Sequence, residues 1–116
     1  MPNRIIRESC RTSKTLDRIS AEAERLFWRL TTVADDHGRF ESASSTVRSL
    51  CFPSREPAFT SPRVEGWLQE LAASPDPAIQ LYQVNGKRYG CFPTWKKHQR
   101  VRAEHSKYPA PPSADK

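Results

Sequence analysis

The sequence predicts a small α+β domain, mainly helical, in which three short helices precede a β-hairpin. Three observations carry that expectation. Apolar residues recur at helical spacing in three separate segments, an Asn-Gly pair separates two β-rich runs, and a net charge of +6 collects in the C-terminal quarter.

The first helix begins after Ser20, a good N-cap, with Glu22 and Glu24 in the first turn where the helix dipole favours acids. Ala23, Leu26, Phe27, Leu30, Val33 and Ala34 follow at spacings that build one buried face. Asp35-Asp36-His37-Gly38 stops it, because Gly38 suits a left-handed turn. A second helix fits Ser44 or Ser45 to Cys51, with Val47, Leu50 and Cys51 directed inward, and Pro53 forbids its continuation. After a loop from Phe52 to Thr60, Ser61-Pro62 starts a third helix that reaches about Ala73. Val64, Trp67, Leu68, Leu71 and Ala72 form its apolar stripe. Gly66 weakens this helix by up to ~1 kcal/mol relative to Ala and reads as a close approach of two backbones.

The stretch AIQLYQV-NG-KRYGCF follows, with Asn85-Gly86 as the turn of a two-residue hairpin. That turn sets Tyr82 opposite Tyr89 and Ile79 opposite Phe92. Ile79, Leu81 and Phe92 then share the core face, while Tyr82, Val84 and Tyr89 share the other. Residues 1–18 read as an N-terminal arm docking through Ile5, Ile6 and Leu16, and residues 109–116, PAPPSADK, read as a disordered proline-rich tail or linker. The domain proper spans residues 19–108, with a basic extension from Pro93 whose end, Ser106-Lys107-Tyr108, is expected to fray.

At 116 residues and 36% hydrophobic content, one domain with a modest core is expected. No apolar run is long enough to span a bilayer and no signal-peptide core is present, so a cytoplasmic location is expected. Cys10, Cys51 and Cys91 are odd in number and far apart, which fits a reducing compartment. Their spacing from His37, His98 and His105 matches no zinc site, and Asp35-Asp36-His37 reads as a helix-ending turn before a metal site. With no nucleotide loop and no nucleophile–base pairing, neither cofactor, metal nor enzymatic activity is expected.

Charge is the informative feature. Residues 1–84 hold eleven basic and eleven acidic residues, whereas residues 85–108 hold seven basic residues and a single acid, Glu104. Segregated charge of this kind points to an anionic partner, nucleic acid first, with a solubilising basic tail as the bland alternative. Three helices followed by a hairpin is the element order of a winged helix-turn-helix, in which the third helix normally enters the major groove and the hairpin is the wing. Here the exposed face of that helix shows Arg63, Glu65, Gln69, Glu70 and Ala73, and its acids suit phosphate poorly. Arg63 is suited to guanine and Gln69 to adenine. The wing offers Lys87 and Arg88 just after its tip. An extended run over 95–102 puts Lys96, His98, Arg100 and Arg102 on one face and Trp95, Lys97, Gln99 and Val101 on the other, where Trp95 and Val101 anchor it to the core.

The runs LFWRLTTVADDHGRF, VEGWLQELAA and IQLYQVNGKRYGCFPTWKKHQRV resemble the N-terminal domain of phage replication-initiation proteins, the replisome organisers related to DnaD-like winged helices. The likeness covers roughly residues 4–108, its most specific parts being ADDHGR, WLQEL and the hairpin leading into Pro93-x-Trp95-x-Lys97-His98-Gln99. It implies binding of double-stranded origin DNA and recruitment of a helicase or its loader, often through a second domain after a linker. The expected mechanism is phosphate gripping by Lys87, Arg88, Lys96, Lys97, His98, Arg100 and Arg102. Base reading falls to Arg63, Gln69, or Arg4 or Arg7 of the arm in the minor groove. The alternatives are a transcriptional regulator built on the same fold, and a protein-docking or homo-oligomerising module in which Trp28, Tyr82 or Tyr89 faces a partner. Trp28, off the apolar stripe, fits better beneath the arm, covered by Ile5 or Leu16.

Overall fold

The computed structural model describes residues 3–54, 59–73, 76–99, 101 and 104–112, apart from the side chains of Lys97 and His98. After a 3-10 turn at Glu8–Thr12 come α1 (Lys14–Asp17), α2 (Ala21–Val33), β1 (Arg39–Glu41), α3 (Ser44–Cys51) and α4 (Ser61–Ala72). The hairpin strands β2 (Gln80–Val84) and β3 (Lys87–Cys91) follow, then the short α5 (Trp95–His98). The result is a small α+β domain, mainly helical, with a three-stranded antiparallel sheet in the order β1-β3-β2.

The three main helices fall where apolar spacing and end chemistry place them. Ser20 caps α2 by accepting from the Ala23 amide, and its own amide and hydroxyl both donate to Glu70 of α4, which ties the two helices at one corner. Leu26, Leu30, Val47, Val64, Leu68 and Leu71 interlock as α2, α3 and α4 pack on one another, with Phe40, Phe52 and Ile79 closing the core. The hairpin turn has positive φ at both Asn85 (54°) and Gly86 (81°), as a type I′ turn demands, and Tyr82 pairs with Tyr89.

Several expectations are corrected. Strand β1 has no period-two signal in its three residues; its pairing with β3 arises because the Phe40 ring lies under Gly90, where a Cβ would stand 2.5 Å from that ring. Leu50 is 54% exposed, since the narrow contact of α3 with its neighbours is filled by Val47 and Cys51 at i, i+4. Gly66 sits on the open side of α4: among the described residues nothing outside its own helix turn lies within 4 Å of where its Cβ would stand, so none of them brings a backbone against it.

The N-terminal segment is folded onto the domain, through one of the expected residues and through one that was not expected. Leu16 is buried, yet Ile6 is 70% exposed. The anchor is Arg4, whose guanidinium donates to the carbonyls of Thr31, Ala34 and Asp35 and to the Asp36 carboxylate. The planar donor fork of arginine suits four acceptors at the frayed end of a helix better than an aliphatic side chain would. Trp28 does lie beneath this segment. Together with Ile5, Cys10, Leu16, Phe27 and Trp95 it lines an apolar cavity of about 300 Å³.

At the other end, Ser106 to Tyr108, expected to fray, lie on the outer face of the sheet. Ser106 and the Lys107 amide donate to the Asp35 carboxylate, Arg39 donates to the Tyr108 carbonyl, and the Tyr108 ring packs 6.1 Å from Tyr89. Tyr82 Oη donates to the Pro109 carbonyl, so the described part of the proline-rich stretch continues this contact; residues 113–116 lie outside the described residues.

Candidate nucleic-acid interface

Alternation along β3 decides where the wing cations point. Arg88 has the parity of Gly90 and Phe92 and therefore faces the helices, whereas Lys87 begins the strand on the other parity and is exposed. Arg88 reaches α4 and grips Glu65 in a bidentate pair, Nη1 to Oε1 at 2.8 Å and Nη2 to Oε2 at 3.1 Å. Gln69 donates to the same carboxylate at 2.7 Å. The Arg88 hydrogen bond, against the opposing effect of partial burial and helped by Gln69, holds the Glu65 carboxyl below the usual range, so it stays charged.

This arrangement revises two expected roles. Arg88 is a cation already matched to an anion, and Gln69 has a donor committed to Glu65. Arg63 is exposed on a different side of the helix, with its guanidinium 5.6 Å from the Trp67 ring centroid, and it is the cation that α4 offers outward. The Glu65 partnership was absent from the sequence reading, although the hairpin register alone directs Arg88 toward the helices.

Beyond the hairpin, the extended run expected over 95–102 fails at its start. Trp95–His98 form a helical turn, closed by the Trp95 amide on the Phe92 carbonyl and the Gln99 amide on the Trp95 carbonyl. Burial of the indole dictates this turn. Trp95 is 5% exposed, donates to the Asp36 carbonyl at 2.9 Å, packs 5.3 Å from the Phe92 ring and lies 4.9 Å beneath the Arg4 guanidinium. Its seat exists because residue 38 is glycine: φ is +77°, and a Cβ there would stand 2.6 Å from the indole.

Gln99 returns to extended backbone and exchanges two hydrogen bonds with the main chain of Ile5, at 2.9 and 2.8 Å. Val101 then packs against the core. Trp95 and Val101 thus anchor the segment as expected, on a differently shaped backbone, and Gln99 adds a polar anchor that was not expected. Lys96 is exposed beside Trp95. The side chains of Lys97 and His98, and residues Arg100 and Arg102, lie outside the described residues. Arg4 is removed from any groove-reading role: its side chain is 6% exposed and saturated by internal acceptors. Arg7 is exposed.

The helix-ending turn beneath this segment is organised by Asp35. Its carboxylate accepts from the His37 and Arg39 amides, from Ser106 and from the Lys107 amide. Burial raises its pKa, but these hydrogen bonds together outweigh that and hold it below the ordinary 3.8. The thiols are insulated instead: burial pushes Cys51 up to about 12, against the opposing charge of Arg29, and raises Cys91. Among the described residues, no helix is long and apolar enough to cross a membrane.

A scan against protein-family models returns no match, and searches of the curated proteins and of the solved structures return none either.

Proposed function

We propose that this domain is a winged-helix module that binds double-stranded DNA by gripping phosphates, in the initiation of phage or prophage replication. The observation that carries the reading is Trp95. It pins the start of the segment that holds most of the charge excess into the core, with Lys96 exposed beside it, which supports a working surface over a trailing tail. The chain order α2-β1-α3-α4-β2-β3, with β3 central in the sheet, supports the winged-helix assignment. The replication role rests on the resemblance of the ADDHGR, WLQEL and hairpin runs, and recruitment of a helicase or its loader would follow from it.

Lys87 and Lys96 are the described cations best placed for phosphate, with Lys97, His98, Arg100 and Arg102 expected beside them. Base reading by α4 is confined to Arg63, which favours phosphate gripping over a sequence-reading repressor. Fluorescence anisotropy on duplex DNA across a salt series tests the reading. About five phosphate contacts give a log–log slope near −4.5, several hundred-fold weaker binding from ~50 to ~200 mM salt. A Lys87→Ala, Lys96→Ala, Lys97→Ala, Arg100→Ala variant should lose most of that slope. Unchanged affinity in this variant would sink the mechanism.

A further inference from the structure

The Glu65–Arg88 pair has the geometry of a recognition site already filled. A guanidinium binds a carboxylate or a phosphate through the same parallel fork of N–H donors, so the two anions compete for one position. Arg88 projects from the inner face of the hairpin toward α4, and Glu65 and Arg88 both line the groove between these elements, together with Gln69, Gln80 and Gln83. If α4 and the hairpin both contact a duplex, the backbone strand between their two grooves runs along that space. We propose that Glu65 is an internal phosphate mimic, which occupies the Arg88 fork in the free protein and lowers the affinity of the domain for nucleic acid.

The inference rests on the DNA-binding reading above and adds a regulating residue to it. Two features favour a displaceable anion over a permanent brace. The side chains of Arg88 and Glu65 are 32% and 31% exposed, so water and a phosphate can reach the pair. Glu65 also sits next to Gly66, where, among the described residues and apart from its own helix turn, nothing lies within 4 Å of the position a Cβ would take, so a phosphodiester backbone can come close to the helix there. The cation count of the interface consequently overstates its strength, because Arg88 brings its own anion. A phosphate that joined the pair would release few counterions while Glu65 stays charged.

Glu65→Gln keeps the shape and removes the charge. Duplex affinity at ~100 mM salt should rise about five- to tenfold, and the salt slope should steepen by about 0.9, the contribution of one more phosphate contact. Glu65→Ala, which favours helix, should move both quantities the same way and guards against a packing artefact of the amide. Adding Arg88→Ala to either variant should abolish the gain. If the wild type binds DNA with a steep slope but Glu65→Gln and Glu65→Ala bind equally or more weakly, the mimic is refuted and Glu65 is a positioning residue. If neither the wild type nor the variants show salt-dependent binding, the DNA-binding reading itself falls.

Discussion

In the helical layer Arg29 donates to the Cys51 carbonyl at 2.7 Å and lies 5.0 Å over the Phe52 ring, while Arg48 donates to the Phe59 carbonyl. Lys87 and Lys96, in the hairpin and the segment after it, are exposed. The contrast follows residue type. Of the eleven basic residues in positions 1–84 only Lys14 is a lysine, whereas Lys87, Lys96, Lys97 and Lys107 are four of the seven in positions 85–108. A guanidinium can lie flat on a ring and feed several carbonyls, so it closes loops; an ammonium is strongly hydrated and stays outward. Arg4, Arg29 and Arg48 thus serve as internal staples, and Arg4 is the extreme case.

That contrast predicts a separation of stability from binding. Trp95→Ala should cost about 3–5 kcal/mol in urea denaturation, since it empties the space among Gly38, Phe92 and Arg4. Lys96→Ala, one residue on, should stay within ~0.5 kcal/mol and instead make the salt slope of DNA binding shallower. Similar losses of stability in both variants would break the distinction.

A smaller effect is expected at Asp35, where Asn in place of Asp should cost about 2 kcal/mol near neutral pH by weakening its charge-assisted hydrogen bonds. Because the folded-state pKa is depressed below 3.8, this stability is fully present above that value and is lost as pH falls through the folded-state value. Wild type and Asp35→Asn should therefore converge in unfolding curves as pH is lowered from ~5 toward ~2. A gap that stays constant over that range would show that the carboxylate charge is immaterial.

A smaller effect than at Asp35 has the opposite sign. Gly66→Ala should stabilise by ~0.5–1 kcal/mol, because Ala is the better helix former and nothing occupies the space its Cβ enters. Measured together with DNA affinity, it sharpens the comparison: added stability with weaker binding would mark the bare patch on α4 as part of the contact surface.

What the sequence disclosed and what it withheld have physical causes. Helical periodicity and the Asn85-Gly86 turn are local signals, and α2, α3, α4 and the hairpin were legible from them to within a residue or two. Leu50 was misplaced because i+3 and i+4 from Val47 satisfy one helical stripe equally, and only the neighbouring helices choose Cys51. Arg4, Gln99, Ser106 and Tyr108 were misjudged for a different reason. Their partners are main-chain groups, two carboxylates and a guanidinium distant in sequence, and hydrogen bonds of this kind leave no trace in apolar spacing. Within the candidate site, the anchoring roles of Trp95 and Val101 were readable as lone apolar residues in a basic tract. The Glu65–Arg88 pair needed the hairpin register extended to the facing helix.

The turn after α2 has a consequence for the order of assembly. Residues 34–38 receive hydrogen bonds from Arg4, Phe92, Trp95, Ser106 and Lys107, so contacts separated by as much as 72 positions converge on a few residues. Closing loops of that length is entropically costly and tends to come late. A chain emerging from the ribosome N-terminus first can satisfy Asp35 only with its neighbouring amides until Ser106 and Lys107 have been made. The nascent domain would then hold a compact helical layer with an unfinished turn, and the same segment that carries the cations would complete the fold as it arrives.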